Sequence, residues 1–202
     1  MTNNTTFEVE VKFFVPELAR LRERVVAAGG VQKKPRLYER NVRYDTANGR
    51  LLAQQHLLRL RQDDGARITF KGPTNVISEA KVREELEIDV SDFHVADSII
   101  QRLGFSPVQI YEKYRETFML NGVEIVLDEL PYGNFAELEG EEATIKAVSA
   151  LLELDWSQRI IDNYLSLMAQ LKQRHRLPFD DLTFDNFAET AVSVQDILPQ
   201  AK

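Results

Sequence analysis

Charged residues at every second position of one short segment are the first feature of this sequence that could do chemistry. Glu8, Glu10 and Lys12 alternate with the apolar residues Val9 and Val11. In an extended strand successive side chains point to opposite faces, so the three charges share one face. A strand with one face in water shows the same alternation, so this segment alone does not distinguish a surface from a site.

The same alternation recurs in several later segments that read as β-strands. The further cations are Arg59, Arg61, Arg67, Lys71, Arg83, Lys113 and Arg115, and the further anions are Glu85, Glu87, Asp128, Glu137 and Glu139. If these faces look at water, the sheets are simply amphipathic; if they look at one another, they line a polar barrel. Burying an ion costs several kcal/mol unless it is paired or bound to something. A charged interior therefore requires a charged ligand.

The residue types indicate which ligand. Arginine forks and lysine ammonium groups suit the oxygens of an extended polyphosphate. Carboxylates without cysteine or clustered histidine partners suit a hard cation, Mg²⁺ or Mn²⁺, held partly by substrate phosphate. Because both kinds of residue occupy alternating strand positions, the sequence predicts a small-molecule polyphosphate bound together with a divalent metal.

The elements that position these residues are predicted from hydrophobic spacing and turn signals. Asn48-Gly49, Asp63-Asp64-Gly65 and Asn121-Gly122 separate β-like segments. Helical spacing follows Pro16 and returns near residues 95–103, in 141–153 and from 160 onward. We expect an α+β fold, an eight-stranded antiparallel β-barrel with flanking helices, whose closure removes sheet edges and leaves room for one small ligand.

Composition narrows the class of protein. The 202 residues can bury one good core and need form no more than one domain, and the absence of cysteine excludes disulfides, thiolate zinc and a cysteine nucleophile. A net charge of -7 argues against a general nucleic-acid or anionic-membrane binder. No apolar run reaches spanning length and the first residues lack the features of a signal peptide, so we expect a cytoplasmic location.

The charged motifs also occur in a recognisable order. Glu8-x-Glu10-x-Lys12 is similar to the ExExK signature of the CYTH superfamily, the triphosphate tunnel metalloenzymes. It is followed by Leu-Arg59-Leu-Arg61, Thr-Phe-Lys71-Gly-Pro, Arg83-x-Glu85-x-Glu87, Glu-Lys113-Tyr-Arg115, Leu-Asp128-Glu-Leu-Pro-Tyr-Gly and Phe-Ala-Glu137-Leu-Glu139-Gly. The resemblance covers roughly residues 6–172, and it depends on the ordered set, because ExExK alone is common on exposed strands.

The resemblance implies a tunnel that binds a triphosphate with basic residues and one or two divalent cations with acidic residues. The phosphate-binding residues would be Lys12, Arg59, Arg61, Lys71, Arg83, Lys113 and Arg115. The metal ligands would be Glu8, Glu10, Asp128, Glu137 and Glu139, with Glu85 and Glu87 nearby. Lys12, Glu8 and Glu10 would form the catalytic set, with Lys12 positioning the water nucleophile as in some hydrolases of the family. This sequence departs from the family pattern at Asn41 and Arg43, where Asp and Tyr are frequent.

The family includes class IV adenylyl cyclases, thiamine triphosphatases, inorganic triphosphatases and RNA triphosphatases, so the resemblance leaves hydrolysis and cyclisation both open. A non-catalytic sensor of polyphosphate or nucleotide is a third alternative, although the intact carboxylates argue against it. The aromatic residues that could stack on a base are more typical of outer-face packing; they are Tyr38, Tyr44, Phe70, Tyr132 and Phe135.

Three further expectations concern the rest of the chain. We expect residues 1–176 to form the tunnel domain and residues 177–202 a C-terminal tail, docked or mobile, and a homodimer stays open. Tyr164 and Trp156 are expected to pack against the barrel. The three histidines, His56, His94 and His175, show no metal-ligand spacing.

Overall fold

The computed structural model describes the backbone of residues 6–75 and 81–198 and the side chains of residues 9–73 and 84–198. Its strands are β1 (Thr6–Phe14), β2 (Val31–Asp45), β3 (Leu57–Gln62), β4 (Ala66–Asn75), β5 (Lys81–Val90), β6 (Ser106–Leu120), β7 (Val123–Leu130) and β8 (Gly133–Glu139). Its helices are α1 (Leu18–Ala27), α2 (Arg50–Ala53), α3 (Phe93–Arg102), α4 (Glu142–Leu151), α5 (Tyr164–His175) and α6 (Phe184–Phe187). No helix within these ranges is long and apolar enough to cross a bilayer.

The eight strands form one antiparallel sheet that closes on itself. The strand order is β1-β5-β4-β3-β2-β6-β7-β8, and β1 pairs with both β5 and β8. This confirms the predicted eight-stranded antiparallel barrel with flanking helices. Closure also fixes which charges become neighbours, because Lys12 lies directly opposite Glu137 across the β1/β8 junction.

The turn between β6 and β7 shows how local sequence sets this register. Asn121 and Gly122 both have positive φ, 50° and 80°. This is the combination that a two-residue hairpin turn requires, and Asn-Gly adopts it readily. The hairpin aligns Arg115 with Asp128 on neighbouring strands.

The apolar cores lie outside the barrel, between the sheet and the segments packed on it. Leu21 of α1 and Ile145 of α4 pack in one core with the outward residue Leu138 of β8. Ile100 of α3 packs in a second core, and Leu167 of α5 in a third. Full burial of one such side chain contributes about 1.5–3 kcal/mol. The fold is therefore stabilised mainly from outside, and the inward faces are left to polar residues.

The C-terminal residues up to 198 pack along the barrel. Leu182 pairs with β6, accepting a hydrogen bond from the Glu112 N–H and donating one to the Ile110 carbonyl, both at 2.9 Å. Phe187 and Val194 are buried with α5 in the same core. The C-terminal segment thus covers β6 at residues 109–112.

Candidate active site in the barrel interior

The barrel encloses a cavity of about 1050 Å³. Seven of the eight strands contribute most of the charged side chains, and β7 adds Glu124. Asn163, which caps α5, and the first two residues of α5, Tyr164 and Leu165, complete the lining. The cations that line it are Lys12, Lys33, Lys34, Arg43, Arg59, Arg61, Arg67, Lys71, Lys113 and Arg115, and the anions are Glu10, Glu39, Glu85, Glu87, Glu124, Glu137 and Glu139. The charged faces predicted from the sequence therefore do look at one another.

A cluster of five interlocked ions, which we call the central network, lies in the interior. It consists of Lys12, Lys113, Arg115, Asp128 and Glu137. Lys12 contacts Glu137 at 2.8 Å, and Lys113 contacts Asp128 at 2.9 Å. Arg115 bonds both Asp128 oxygens, at 2.7 and 2.5 Å, and also Glu137, at 2.5 Å. Three cations face two carboxylates, so the network carries excess positive charge.

Lys12 and Glu137 of the central network stay charged at neutral pH. Burial alone lowers the pKa of Lys12, but the nearby carboxylates Glu137 and Glu10 outweigh it and raise the pKa above its ordinary value. Burial alone raises the pKa of Glu137, but Lys12 and Arg115 hold it well below its ordinary value. Lys12 is thus an ammonium donor in the apo protein and not a base.

Tyr164 enters this network from α5. Its hydroxyl donates to Asp128 at 2.9 Å, and its ring lies 4.5 Å beneath the Lys12 ammonium. The side chain of Asn163 caps α5 by accepting hydrogen bonds from the N–H groups of Leu165 and Ser166, which fixes where Tyr164 begins the helix. The sequence suggested only packing against the barrel for Tyr164, so its place in the site was missed; no strand alternation could have found it.

The second group of side chains consists of Arg59 and Arg61 of β3, which we call the arginine wall, and they contact side chains of other strands. Arg59 donates to the Tyr111 hydroxyl at 3.1 Å and to Thr69 at 2.9 Å, and Arg61 donates to Asn41 at 3.2 Å. Within the described side chains, Arg59 Nε and Asn41 Nδ2 are buried without a hydrogen-bond partner. This wall has more donors than acceptors, as a site for an anion requires.

The pKa values of the groups in and beside the arginine wall also indicate a site for an anion. Burial and the repulsion of Arg59 lower the pKa of Arg61, and Glu39 offsets this only in part from 3.5 Å. Burial raises the pKa of the Tyr111 phenol, but Arg59 and Arg61 reverse the effect and lower it. Sequence reasoning assigned no role to Tyr111 or Glu39, although alternation puts Tyr111 on the same face as Lys113 and puts Glu39 on the same face as Asn41.

Carboxylates crowd at a third place, which we call the carboxylate group. Glu139 lies directly opposite Glu10 on β1 and Glu124 on β7. Burial, followed by the repulsion of Glu124 and Glu10, raises the pKa of Glu139 to about 7. Glu85 contributes to the same repulsion, and Lys71 contacts Glu85 at 2.8 Å. Glu124 was missed, although its alternation with Val123 and Ile125 and its spacing of four from Asp128 put it on the charged face.

The carboxylate group fits a divalent cation by the chemistry of its donors. Glu10, Glu124 and Glu139 supply hard oxygens, and a cation would relieve their mutual repulsion. Among the residues that the structure describes, no three of these donors are already grouped closely enough to hold a cation. Asp128 and Glu137, which the resemblance assigned to metal, instead have their oxygens engaged by the cations of the central network and by Tyr164.

The remaining predicted residues are placed as follows. Arg67 lines the cavity and contacts Glu87 at 3.3 Å, Asp63 at 3.5 Å and Asp89 at 3.8 Å. The side chains of Glu8 and Arg83 lie outside the described residues; the backbone register pairs the two positions across β1 and β5. Their roles stay predictions.

The aromatic residues considered as base platforms do not line the cavity. Tyr44, Tyr132 and Phe135 are buried in the outer cores. Phe70 packs against His56 with ring centroids 5.1 Å apart. Among the described residues the only aromatic rings that reach the cavity are Tyr111, Tyr164 and the His56 imidazole.

The crowding of carboxylates predicts a pH dependence of stability. Between pH 4.5 and about 7 the folded protein holds a proton on Glu139 that the unfolded chain has released. The free energy of unfolding therefore falls as pH rises through this window and levels off above it. The side chain keeps partial contact with water, so we expect a loss on the order of 1–2 kcal/mol.

Urea unfolding of the metal-free protein and of Glu139→Gln at pH 5 and pH 8 tests this. We expect the substituted protein to lose less stability than the parent between these two values, since titrations elsewhere cancel in the comparison. The same pH dependence in both proteins would show that Glu139 has an ordinary pKa.

Comparison with known proteins places this architecture in a family. The model of the CYTH domain matches residues 6–168. The chain belongs to the CYTH domain family. The match ends within α5, so the C-terminal segment beyond Arg176 lies outside the part that this CYTH domain shares with the family.

Three relatives illustrate the similarity. A provisionally named adenylate cyclase of Methanocaldococcus jannaschii is 27% identical over 150 residues, 72% of this chain and 83% of that protein. The crystal structure of a provisionally named adenylate cyclase from Vibrio parahaemolyticus superposes with a TM-score of 0.73 at 22% identity, over 81% of this chain and 98% of that one. The Hippeastrum protein HpAC1, described with a dominant triphosphatase activity, superposes with a TM-score of 0.60 at 17% identity, over 81% and 95% of the two chains. The two structural likenesses concern the fold.

Proposed function

We propose that this CYTH domain binds a triphosphate inside its barrel and, with Mg²⁺ or Mn²⁺, catalyses phosphoryl chemistry on it, hydrolysis being the first candidate. The observation that carries the proposal is the enclosed cavity in which the arginine wall and the central network meet the carboxylate group. A triphosphate needs dense positive charge along its length, and a divalent cation needs hard oxygens at one end.

In this proposal the phosphates are bound by the basic residues of the interior. They are Lys12, Arg59, Arg61, Lys71, Lys113 and Arg115, with Arg83 as a further candidate. Asp128 is fully buried beneath Lys113 and Arg115 and holds both in place, so these donors keep their geometry when the ligand arrives. Such preorganised donors stabilise the charge that spreads over phosphoryl oxygens in the transition state.

The metal would be held by Glu10, Glu124 and Glu139, with Glu8, Glu85 and Glu87 as further candidates, and Asp128 and Glu137 keep the resemblance-based assignment only as a weaker alternative. A bound divalent cation would supply Lewis-acid polarisation of the phosphate oxygens. Deprotonation of Glu139 is required before it can bind a cation.

Lys12 has a defined task in the hydrolysis step. Its ammonium is held by Glu137 and by the Tyr164 ring, so its N–H donors have fixed positions. Because its pKa is raised, Lys12 orients the attacking water and stabilises developing charge but does not accept the water's proton. Water adds to the terminal phosphorus and the bond to the bridging oxygen breaks. One proton of the water stays on the orthophosphate and the other ends on the departing diphosphate.

Cyclisation of a nucleoside triphosphate is the second candidate. It is favoured by the 27% identical relative that carries the adenylate cyclase name and by an apolar part of the cavity lining, Leu52, Leu57 and Leu86 beside His56. In that reaction the ribose 3′-hydroxyl attacks the α-phosphate of ATP, and cyclic AMP and diphosphate are formed. The scarcity of aromatic rings in the described lining places this reaction second.

Product analysis tests the proposal. ATP, inorganic triphosphate and thiamine triphosphate are offered separately at mildly alkaline pH with Mg²⁺ or Mn²⁺, and products are separated by anion exchange. We expect orthophosphate from inorganic triphosphate and loss of turnover with EDTA. Cyclic AMP and diphosphate from ATP would instead establish the second candidate, whereas tight triphosphate binding without any product would make the protein a sensor.

A further inference from the structure

Arg43 is a cation of the cavity lining that lacks a carboxylate counterion. Its guanidinium donates to the Gln109 side-chain carbonyl at 2.9 Å, and no carboxylate of the described residues lies within 4 Å of it. The nearby Asp45 has its oxygens engaged by the backbone N–H groups of Thr46, Leu51 and Leu52. Arg43 is half-buried, so bulk water compensates its charge only in part.

The register places Arg43 directly opposite Arg59 of the arginine wall. Like charges in directly opposite positions destabilise a sheet unless something lies between them. The comparable pair Arg61 and Arg67 is also directly opposite, but there Arg67 is neutralised by its own carboxylates. Arg59 has a carboxylate within reach, Glu87 at 3.6 Å, but Arg67 shares that carboxylate. The pair of Arg43 and Arg59 therefore has the stronger unmet demand for an anion.

Tyr111 adds a donor to the same corner. Its hydroxyl accepts from Arg59 at 3.1 Å, and its own proton has no acceptor among the described residues. Tyr111 is buried except where it lines the cavity. A buried hydroxyl with an unused proton beside two guanidinium groups suits a phosphate oxygen.

The C-terminal segment holds this corner in shape from outside. The Gln109 amide that receives Arg43 donates its own N–H to the Asp180 carbonyl at 2.8 Å. The Ile110 N–H donates to the Asp181 carboxylate at 2.7 Å, and Leu182 pairs with Tyr111. These contacts fix residues 109–111, and all of them come from beyond the part of the chain that the family model matches.

We propose that Arg43 and Tyr111, together with Arg59, which they share with the triphosphate site, form an additional phosphate subsite, so that this chain accepts a substrate with one phosphate group more than a triphosphate. The segment 177–198 positions the subsite through Gln109. The inference rests on the proposed function, because it extends the same row of cations. The ligand class is a linear polyphosphate of at least four phosphates, free or carried by a nucleoside.

Calorimetric titration with inorganic tripolyphosphate and tetrapolyphosphate, at equal Mg²⁺, tests the proposal. We expect tetrapolyphosphate to bind about tenfold to a hundredfold more tightly, the range for one added charge-assisted contact. Arg43→Gln should remove this preference and change tripolyphosphate affinity little. Arg40→Gln, on the same strand but outside the cavity lining, is the matched control and should keep the preference.

A second variant tests the positioning by the C-terminal segment. Gln109→Leu should lose most of the preference, and the double substitution with Arg43→Gln should lose no more than Arg43→Gln alone. Comparison of ATP with adenosine 5′-tetraphosphate shows whether the fourth phosphate is also accepted on a nucleoside. A gain in affinity with both pairs of ligands supports the subsite for free and nucleoside-linked polyphosphates. A gain with the inorganic pair alone supports it for free polyphosphates only.

The outcomes separate this inference from the proposed function. Tight tripolyphosphate binding with no gain for tetrapolyphosphate would overturn the subsite and leave the proposed function standing. Equal weakening of both ligands by Arg43→Gln would also overturn it, because Arg43 would then belong to the triphosphate site itself. Failure of both ligands to bind would overturn both proposals.

Discussion

Replacement of Lys12 by methionine should reduce the turnover of inorganic triphosphate by about 10²–10³-fold, the usual cost of one preorganised donor in a site that stabilises developing charge. Lys12 is almost fully buried and held by Glu137 and Tyr164, whereas the neighbouring Lys113 is held by Asp128. Methionine preserves most of the volume, and Glu137 keeps its bond to Arg115. Steady-state release of orthophosphate gives the measurement.

Lys146→Met is the control for this substitution. Lys146 lies on α4, partly exposed and paired with Glu142, and is not part of the cavity lining. We expect normal turnover there, and thermal unfolding should show both variants folded. Turnover within a factor of three of the parent in folded Lys12→Met would exclude Lys12 from the reaction.

Replacement of Asp128 by alanine should have the largest effect on stability. Asp128 is fully buried and accepts hydrogen bonds from Lys113, Arg115 and Tyr164. Its removal leaves two buried cations short of a counterion, which costs about 3–5 kcal/mol. This is a large part of the 5–15 kcal/mol that is typical of a folded domain. Urea denaturation of the ligand-free protein measures the loss.

The adjacent residue provides the comparison for Asp128. Glu129 points outward and pairs with Arg36 at 2.6 Å, with half of the Arg36 side chain in water. Glu129→Ala should therefore cost at most about 1 kcal/mol. Added tripolyphosphate should restore part of the Asp128→Ala loss, since it supplies negative charge to the folded state alone. Equal losses in the two variants would mean that the central network does not stabilise the barrel.

The sequence predicted the strand faces well because strand alternation is a strictly local property. Lys12 is more than 100 residues away from Arg115 and Glu137, yet each of the three could be placed on an inward face from its immediate neighbours. Which inward residues touch depends on register and closure, and these are set by long-range pairing. That is why alternation could place Asp128 and Glu137 on the inward face but could not show that both contact the cations of the central network.

Sequence reasoning missed several residues of the site, each for a different physical reason. Tyr164 reaches the site from a helix, so its position depends on how α5 packs across the barrel. Tyr111 shares a strand face with Lys113 and Arg115, so alternation could have placed it inward, but its contact with Arg59 depends on how the strands are arranged around the barrel. The contacts of Asp180 and Leu182 with β6 involve backbone atoms, which leave no trace in residue type. The division of the chain at residue 176 and the open question of a homodimer stay predictions.

The separation of apolar cores outside the barrel from ions inside it has a consequence for how this chain can change over evolutionary time. Each strand encodes the outer apolar cores at one set of alternate positions and the charged interior at the other, so a substitution at an inward position leaves the outer cores untouched. Insertion of a single residue within a strand would exchange the two sets beyond that point, exposing core residues and burying charges in their place. New specificities in this barrel should therefore arise by substitution within strands, and changes in length should be confined to the connections and to the C-terminal segment.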